Sequence, residues 1–350
     1  MKKELGLFTL LIVLCLTVCG IEIGKQLHGG IPVTLPRFLS PENLLNTANL
    51  IGMFGILSIG MGLVIITGGI DLSVGSMCAL AGVLLSLALK EWHWAWPLVA
   101  VFILLVPTLL GCAHGWLITR MKMQPFIVTL CGLLIYRGMA RFIAGDTSKG
   151  FVGASGFGVF SFLASGRLFH MTRDEVIDGV AGKHVVFEGI PMSFVTFVII
   201  AVVMWFVLHR SIYGRYLLAV GRNEEAARFS GVNTRLVIGS SYMLAGFLTG
   251  TAAIMFAFYA GSVAPSTHGN FYELYGIAAA VLGGCSLRGG EGSIIGIVIG
   301  TALLQILQNL VNLLGIDSSL NFAVMGAVVL IGVLADQLFQ NRSKKIRQVA

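Results

Sequence analysis

The sequence predicts an all-α membrane protein that crosses the bilayer about ten times, and three observations carry that reading. Charge is scarce: of 350 residues, 56% are hydrophobic and 11% charged, where a soluble domain has roughly a quarter charged. The charges are also clustered. They leave uncharged runs over 5–21, 43–70, 72–89, 92–119, 189–209, 236–272, 292–316 and 318–335, and about 20 mostly apolar residues suffice for one helical crossing. Finally, stretches such as 51–66 and 294–304 show no polar alternation, which removes the barrel option and leaves helices as the spanning element. A soluble enzyme core, a disordered chain and a disulfide scaffold are all excluded, the last because the six cysteines are scattered.

The first span is placed at 5–23. Its start, Met1-Lys2-Lys3 before an apolar stretch, resembles a signal peptide. Val18 stands where a leader ending at Cys19 needs a small residue, and more spans follow, so a retained helix is expected. The next spans are placed at 46–67, 72–90, 97–119 and 125–145, the fifth interrupted by Arg137 and Arg141. They continue at 191–209, 236–258, 271–285, 293–314 and 320–337; the eighth is short, glycine-rich and bounded by Glu273 and Arg288. With the N-terminus inside, fourteen lysines and arginines fall inside and nine outside, as the positive-inside rule asks. The expectation is one transmembrane domain over 1–350 with both termini cytoplasmic. Segments 24–45 and 146–190 lie outside, and 210–235 lies inside. The net charge of +7 is therefore a topology signal; no continuous basic face suggests nucleic acid. The glycine-rich 146–190 segment reads as an irregular cap, either a connector or a docking surface for an external partner.

No engine is visible. There is no G-x-x-x-x-G-K-[ST] loop to cradle nucleotide phosphates, no H-E-x-x-H pair and no cysteine pair at metal-ligand spacing, so no catalytic residue, metal or cofactor is expected. Ionisable groups inside a bundle tend to be functional, but Asp71, Glu273, Arg288 and Asp336 fall at predicted helix ends. Asp71 reads as a cap of the third helix, with a coupling carboxylate as the alternative. His114 is mid-span and reads as a neutral imidazole bonded to a neighbouring helix. The cysteines read as small apolar packers.

Forty-five glycines are nearly double the usual share of about 7%. Gly111/Gly115, Gly246/Gly250 and Gly292/Gly296/Gly300 are spaced by four, which puts small residues on one helix face and lets backbones approach. Two clusters resemble each other: Gly68-Gly69-Ile70-Asp71-Leu72-Ser73-Val74-Gly75 and Gly283-Gly284-Cys285-Ser286-Leu287-Arg288-Gly289-Gly290. Paired irregular segments of this kind can mark the site of a transporter built from repeats. Gly69, Asp71, Ser73, Gly283, Gly284, Gly289 and Gly290 are accordingly candidate residues at helix ends.

The most informative stretch is the inside loop that runs from Gly214-Arg215-Tyr216 to Gly221-Arg222-Asn223-Glu224-Glu225-Ala226-Ala227-Arg228-Phe229-Ser230-Gly231-Val232-Asn233. Asn223 is a good N-cap, Glu224 and Glu225 suit the positive first turn and Arg228 the last. Gly231 supplies the terminating turn. A helix of about two turns is too short to stand alone and is expected to dock, its Ala226, Ala227 and Phe229 entering a groove on another protein.

At this loop the sequence resembles the permease subunits of bacterial ABC sugar importers of the ribose/xylose/galactose class. The resemblance runs through Gly69-Ile70-Asp71-Leu72-Ser73-Val74-Gly75-Ser76, then the 214–233 loop, then Val281 to Ser293. Arg222 and Cys285 depart from the family's usual residues. The resemblance implies a separate cytoplasmic ATPase subunit, a periplasmic sugar-binding protein, and a second permease copy in a homodimer or a similar paired permease. It places Gly221, Asn223, Glu224, Ala226, Ala227, Arg228 and Gly231 in the loop that couples to the ATPase. The chain is then a transport subunit in the inner membrane and not an enzyme. A branched-chain amino-acid or nucleoside importer permease is the nearest alternative, and a self-powered carrier a more distant one.

Overall fold

The computed structural model describes residues 2–29, 34–177 and 180–317, with isolated positions between 320 and 330. Apart from those isolated positions, the tenth expected span, 320–337, lies outside the described residues. The described residues form twelve α-helices: α1 (Lys2–His28), α2 (Pro41–Ile66), α3 (Val74–Lys90), α4 (Trp96–Arg120), α5 (Pro125–Ala144), α6 (Phe157–Ser165), α7 (Met192–Arg210), α8 (Ile212–Arg222), α9 (Glu224–Phe229), α10 (Thr234–Ala260), α11 (Tyr272–Leu282) and α12 (Ile294–Leu313). Of these, α1, α2, α4, α5, α7, α10 and α12 are long and apolar enough to cross a membrane. The first nine expected spans all fall on helices. The largest shift at a start is at α2, which begins at Pro41 because Ser40 caps it: its hydroxyl accepts from the Asn43 amide at 3.4 Å, with Pro41 and Glu42 in the first turn.

The centre of the bundle is α2, buried almost continuously from Gly52 to Ile66. Around it pack α7, α10, α11 and α12. Small residues set these distances. A Cβ on Gly115 would lie 2.7 Å from the Cα of Gly239, and Cβ atoms on Gly111 and Gly246 would overlap the carbonyls of Tyr242 and Pro107. Pro107 has no N–H for the carbonyl of Ile103, and Gly250 rests on that same carbonyl, where a Cβ would come within 2.8 Å of the oxygen. The four-residue spacings in the sequence are thus backbone-to-backbone contacts between α4 and α10 and, through Gly296 and Gly300, between α12 and the end of α11, while Gly292 meets the side chains of Ile66 and Cys285.

Two of the expected spans fall on helices too short to cross alone. At 1.5 Å per residue, α3 and α11 rise about 25 and about 17 Å, against about 30 Å of hydrocarbon. Non-helical segments complete both crossings: 67–73 after α2 and 261–271 after α10. The first turn of α3, just after the 67–73 break, meets the 261–271 break inside the bundle. Gly75 lies against Gly269, and the Glu273 carboxylate accepts from the Gly75 N–H. Arg137, one of the charges that interrupts the fifth span, closes the 261–271 break by donating to the carbonyls of Pro265 (3.0 Å) and His268 (2.6 Å). The other, Arg141, reaches past the end of α5 to a two-pronged pair with Asp146 at 2.9 and 2.7 Å, which holds that carboxyl below the usual carboxylate range.

The 146–190 segment is not the irregular cap the sequence suggested. It contains α6, a two-residue strand β1 (Lys149–Gly150), β2 (Arg167–Leu168), a hairpin of β3 (Met171–Ile177) and β4 (Val180–Phe187), and β5 (Ile190–Pro191), which pairs with β2. β1 pairs antiparallel with β6 (Ser262–Val263), tying the segment to the 261–271 break. Phe151 stacks on Phe258 at 4.4 Å and Phe160 packs on it at 5.1 Å, so the cap has its own apolar seat on α10.

Gly246→Ala is expected to destabilise the purified protein by about 1–3 kcal/mol, the usual result of overpacking. Gly138→Ala, whose Cβ meets nothing within 4 Å, is expected to be neutral or to stabilise α5 by up to about 1 kcal/mol. Denaturant unfolding in detergent, followed by circular dichroism, reads both.

Candidate functional site

The loop after α7 is built from local caps. Ser211 starts α8 by accepting from the Gly214 amide at 3.1 Å. α8 is amphipathic, burying Gly214, Leu217 and Val220 and exposing Ile212 and Tyr216. Asn223 then caps α9, its Oδ1 accepting from the Ala226 amide at 2.9 Å. Gly231 turns the chain with φ +87°, while the Val232 amide donates to the Ala227 carbonyl at 3.1 Å. Asn233 caps α10 in turn, and the Glu224 carboxylate accepts from the Thr234 hydroxyl at 3.1 Å, so α9 is fastened to the start of α10. The two alanines part company: Ala227 is buried and Ala226 exposed. Phe229 stands out from the loop, 84% exposed, with the Arg228 guanidinium 5.8 Å from its ring centroid.

This loop meets both glycine clusters. The Gly290 N–H donates to the Ile66 carbonyl at 2.8 Å, at the end of α2. Gly221, in the last turn of α8, is pressed onto that same carbonyl, leaving no room for a Cβ. Gly289, at φ +84°, would place a Cβ 2.7 Å from the Gly221 carbonyl oxygen and 2.9 Å from the Gly68 nitrogen. Arg222 reaches back along the joint, its Nε 3.4 Å from the Gly290 carbonyl. Gly283 lies backbone to backbone against Gly296. Gly284, at φ +89°, continues that turn with open space around it. The structure thus brings Gly68, Gly221, Gly289 and Gly290 to one point. Sequence reasoning set these residues in three separate motifs; only the exclusion of side chains at each hinted at a shared contact.

Gly69, Asp71 and Ser73 lie deeper. Gly69 sits under the Tyr242 hydroxyl. Asp71 does not cap α3. Its Oδ1 accepts from both the amide (2.8 Å) and the hydroxyl (2.6 Å) of Ser73, a turn just ahead of the helix, which begins at Val74. Its other oxygen lies 3.8 Å from Nδ1 of His114. His114 bonds a neighbouring helix through Nε2, 2.8 Å from the Tyr136 hydroxyl on α5, in line with the sequence reading. Among the described residues there is no group of three or more His, Cys, Asp or Glu that could hold a metal ion.

A many-helix bundle with two broken crossings, and a capped loop seated on one of them, is the architecture of a membrane permease. Residues 43–334 match the family described as the permease component of branched-chain amino acid transport systems, and the chain belongs to that family. Its relatives are more specific. It is 36% identical over 304 residues to the ribose import permease protein of Bacillus subtilis (strain 168), covering 86% of this chain and 87% of the relative. It is 35% identical to the ribose import permease protein of Escherichia coli (strain K12) with the same coverage. It is 30% identical over 345 residues to the xylose transport system permease protein of the same strain, covering 87% of each. No solved structure matches the chain.

Gly221→Ala is expected to push α8 off the joint and lower stability by about 1–3 kcal/mol. Gly231→Ala, with open space around it, is expected to lose about 1–2 kcal/mol through its left-handed backbone alone. Thermal unfolding of the two purified variants against the parent separates packing from backbone strain.

Proposed function

We propose that this chain is the membrane permease of an ATP-binding-cassette importer that carries a monosaccharide, a ribose-like pentose or a hexose, across the bacterial inner membrane. The observation that carries the sugar reading is the 30–36% identity to ribose and xylose permeases over nearly the whole chain. ATP is hydrolysed by a separate cytoplasmic subunit, and a periplasmic protein delivers the sugar. A second permease copy completes the pathway. Gly221, Asn223, Glu224, Ala226, Ala227, Arg228 and Gly231 form the coupling element, in which the caps fix α9 and Phe229 enters the ATPase. Closure of the ATPases moves α8 and α9, and the glycine joint at Ile66 and Gly290 passes the movement to α2 and to the turn before α12. Both termini lie in the cytoplasm in this arrangement, with 24–45 and 146–190 outside. The family's description favours a second reading, in which the cargo is a branched-chain amino acid.

Uptake decides between them. Proteoliposomes holding the permease with its ATPase and binding protein are expected to take up labelled ribose or xylose when ATP is inside, and to leave leucine out. Leucine uptake without sugar uptake would reverse the assignment. Phe229→Asp is expected to leave folding stability within about 0.5 kcal/mol, as for an exposed site. It should weaken co-purification of the ATPase by about 2 kcal/mol or more, the range of a buried interface anchor.

A further inference from the structure

The interior of the bundle holds a polar cluster that the coupling element does not use. Asp71 and His114 are each 2% exposed, and they come from different elements, the 67–73 break and the middle of α4. The Asp71 carboxylate faces His114 Nδ1 at 3.8 Å. The opposite ring nitrogen is 2.8 Å from the Tyr136 hydroxyl, and the two rings stack at 5.7 Å. Tyr242, from α10, stands edge-on to His114 at 6.4 Å, its hydroxyl over Gly69. Neither His114 Nδ1 nor the Tyr242 hydroxyl has a hydrogen-bond partner among the described residues. Two fully buried polar atoms are thus left over beside one buried carboxylate. Unpaired polar atoms are expensive in such a place and seldom kept without use.

We propose that His114 is a positioning residue for transport. It faces Asp71, and through Asp71 the 67–73 break, with an Nδ1 that stands 3.8 Å from the carboxylate, a gap that a small movement of the break closes to a hydrogen bond. With a proton on Nδ1 the ring presents a donor to Asp71, while Nε2 accepts from Tyr136. With a second proton the ring is cationic, Nε2 donates to the Tyr136 oxygen instead of accepting from it, and Nδ1 faces the carboxylate as a charged donor. With Nδ1 bare, a lone pair faces the carboxylate and the hold is lost. The groups that face the pair are Ser73 on the break, Tyr136 on α5 and Tyr242 on α10. Glu273 on α11 lies within electrostatic reach of Asp71, and Arg137 on α5 within reach of Glu273. The break carries the signal onward: Asp71 is two residues from Gly69 and three from Gly68, and Gly68 lies under Gly289 at the joint with α8.

This inference rests on the coupling reading of the 221–231 loop, and its test separates the two. Initial uptake by the assembled importer is measured from about pH 5 to about pH 8, the range in which imidazoles change charge. The parent's maximal rate is expected to vary across that range. His114→Gln is expected to lower the maximal rate about tenfold, flatten the profile and leave the half-saturating sugar concentration unchanged. Asp71→Asn should do the same, and the double variant should be no slower than either single one, as for groups that act as a unit. Tyr136→Phe keeps the ring stack and removes only the hydroxyl. It is expected to fold and to shift the midpoint of the profile, which provides the test should the polar core variants fail to fold. A flat parent profile, an unchanged profile in His114→Gln or in Tyr136→Phe, or multiplying losses in the double variant would overturn the proposal. The ATPase should co-purify normally with every variant of this cluster, and its loss from any of them also counts against the proposal. A failure of the coupling reading shows elsewhere, as normal ATPase co-purification with Phe229→Asp.

Discussion

Hydrocarbon offers a backbone amide no partner, and that constraint organises this bundle. Among the described residues the chain leaves helical geometry inside it at 67–73 and at 261–271, so each stretch has to be wrapped and bonded by protein. The first is held by the Thr129 hydroxyl on the Ile70 carbonyl at 3.2 Å, by Ser73 on Asp71 and by Gly290 on Ile66 just before it. The second is held by Arg137 on two of its carbonyls and by the short strand pair with 149–150. Asp71, Ser73, Thr129 and Arg137, which look out of place in an apolar chain, are partners of these two breaks.

The glycines answer the other half of the same problem. A break can be covered only if neighbouring backbone comes close, and side chains stand in the way. At Gly75/Gly269, Gly221/Gly289 and Gly283/Gly296 the chain brings main chain against main chain. Contacts of this kind have no flexible side chain to absorb a shift, so the elements they join move together or part. The same holds between α4 and α10, where the missing N–H of Pro107 leaves a carbonyl that Gly250 covers.

Much of this was legible in the sequence, because hydrocarbon thickness and charge avoidance write themselves into run lengths. Nine spans, the Asn223 cap, the Gly231 turn and the four-residue glycine spacing could be read from one chain. The start of α2 was missed because the uncharged run begins after Glu42, although Ser40-Pro41-Glu42 is a helix-start signal. The β3–β4 hairpin was missed because its strands carry charge in an apolar chain; Asp178-Gly179, between Ile177 and Val180, was the available clue. Asp71 was assigned to the helix end because a capping site and a buried turn two residues earlier use the same residue type. Its meeting with His114 was not legible: the two are brought together by the packing of α4 against the break, and nothing local to either records it. The convergence of three glycine motifs on Ile66 is tertiary in the same sense.

Fastened to α9 by Glu224 and Thr234, the 27 residues of α10 run without a proline to Ala260, beside the β1–β6 strand pair. At 1.5 Å per residue that is a rod of about 40 Å. A tilt of about 5° at its foot sweeps its head sideways by about 3.5 Å, more than the diameter of a water molecule. A lever of those proportions turns a slight nudge at its foot into a displacement of that size at its head, with no need for any helix to unwind.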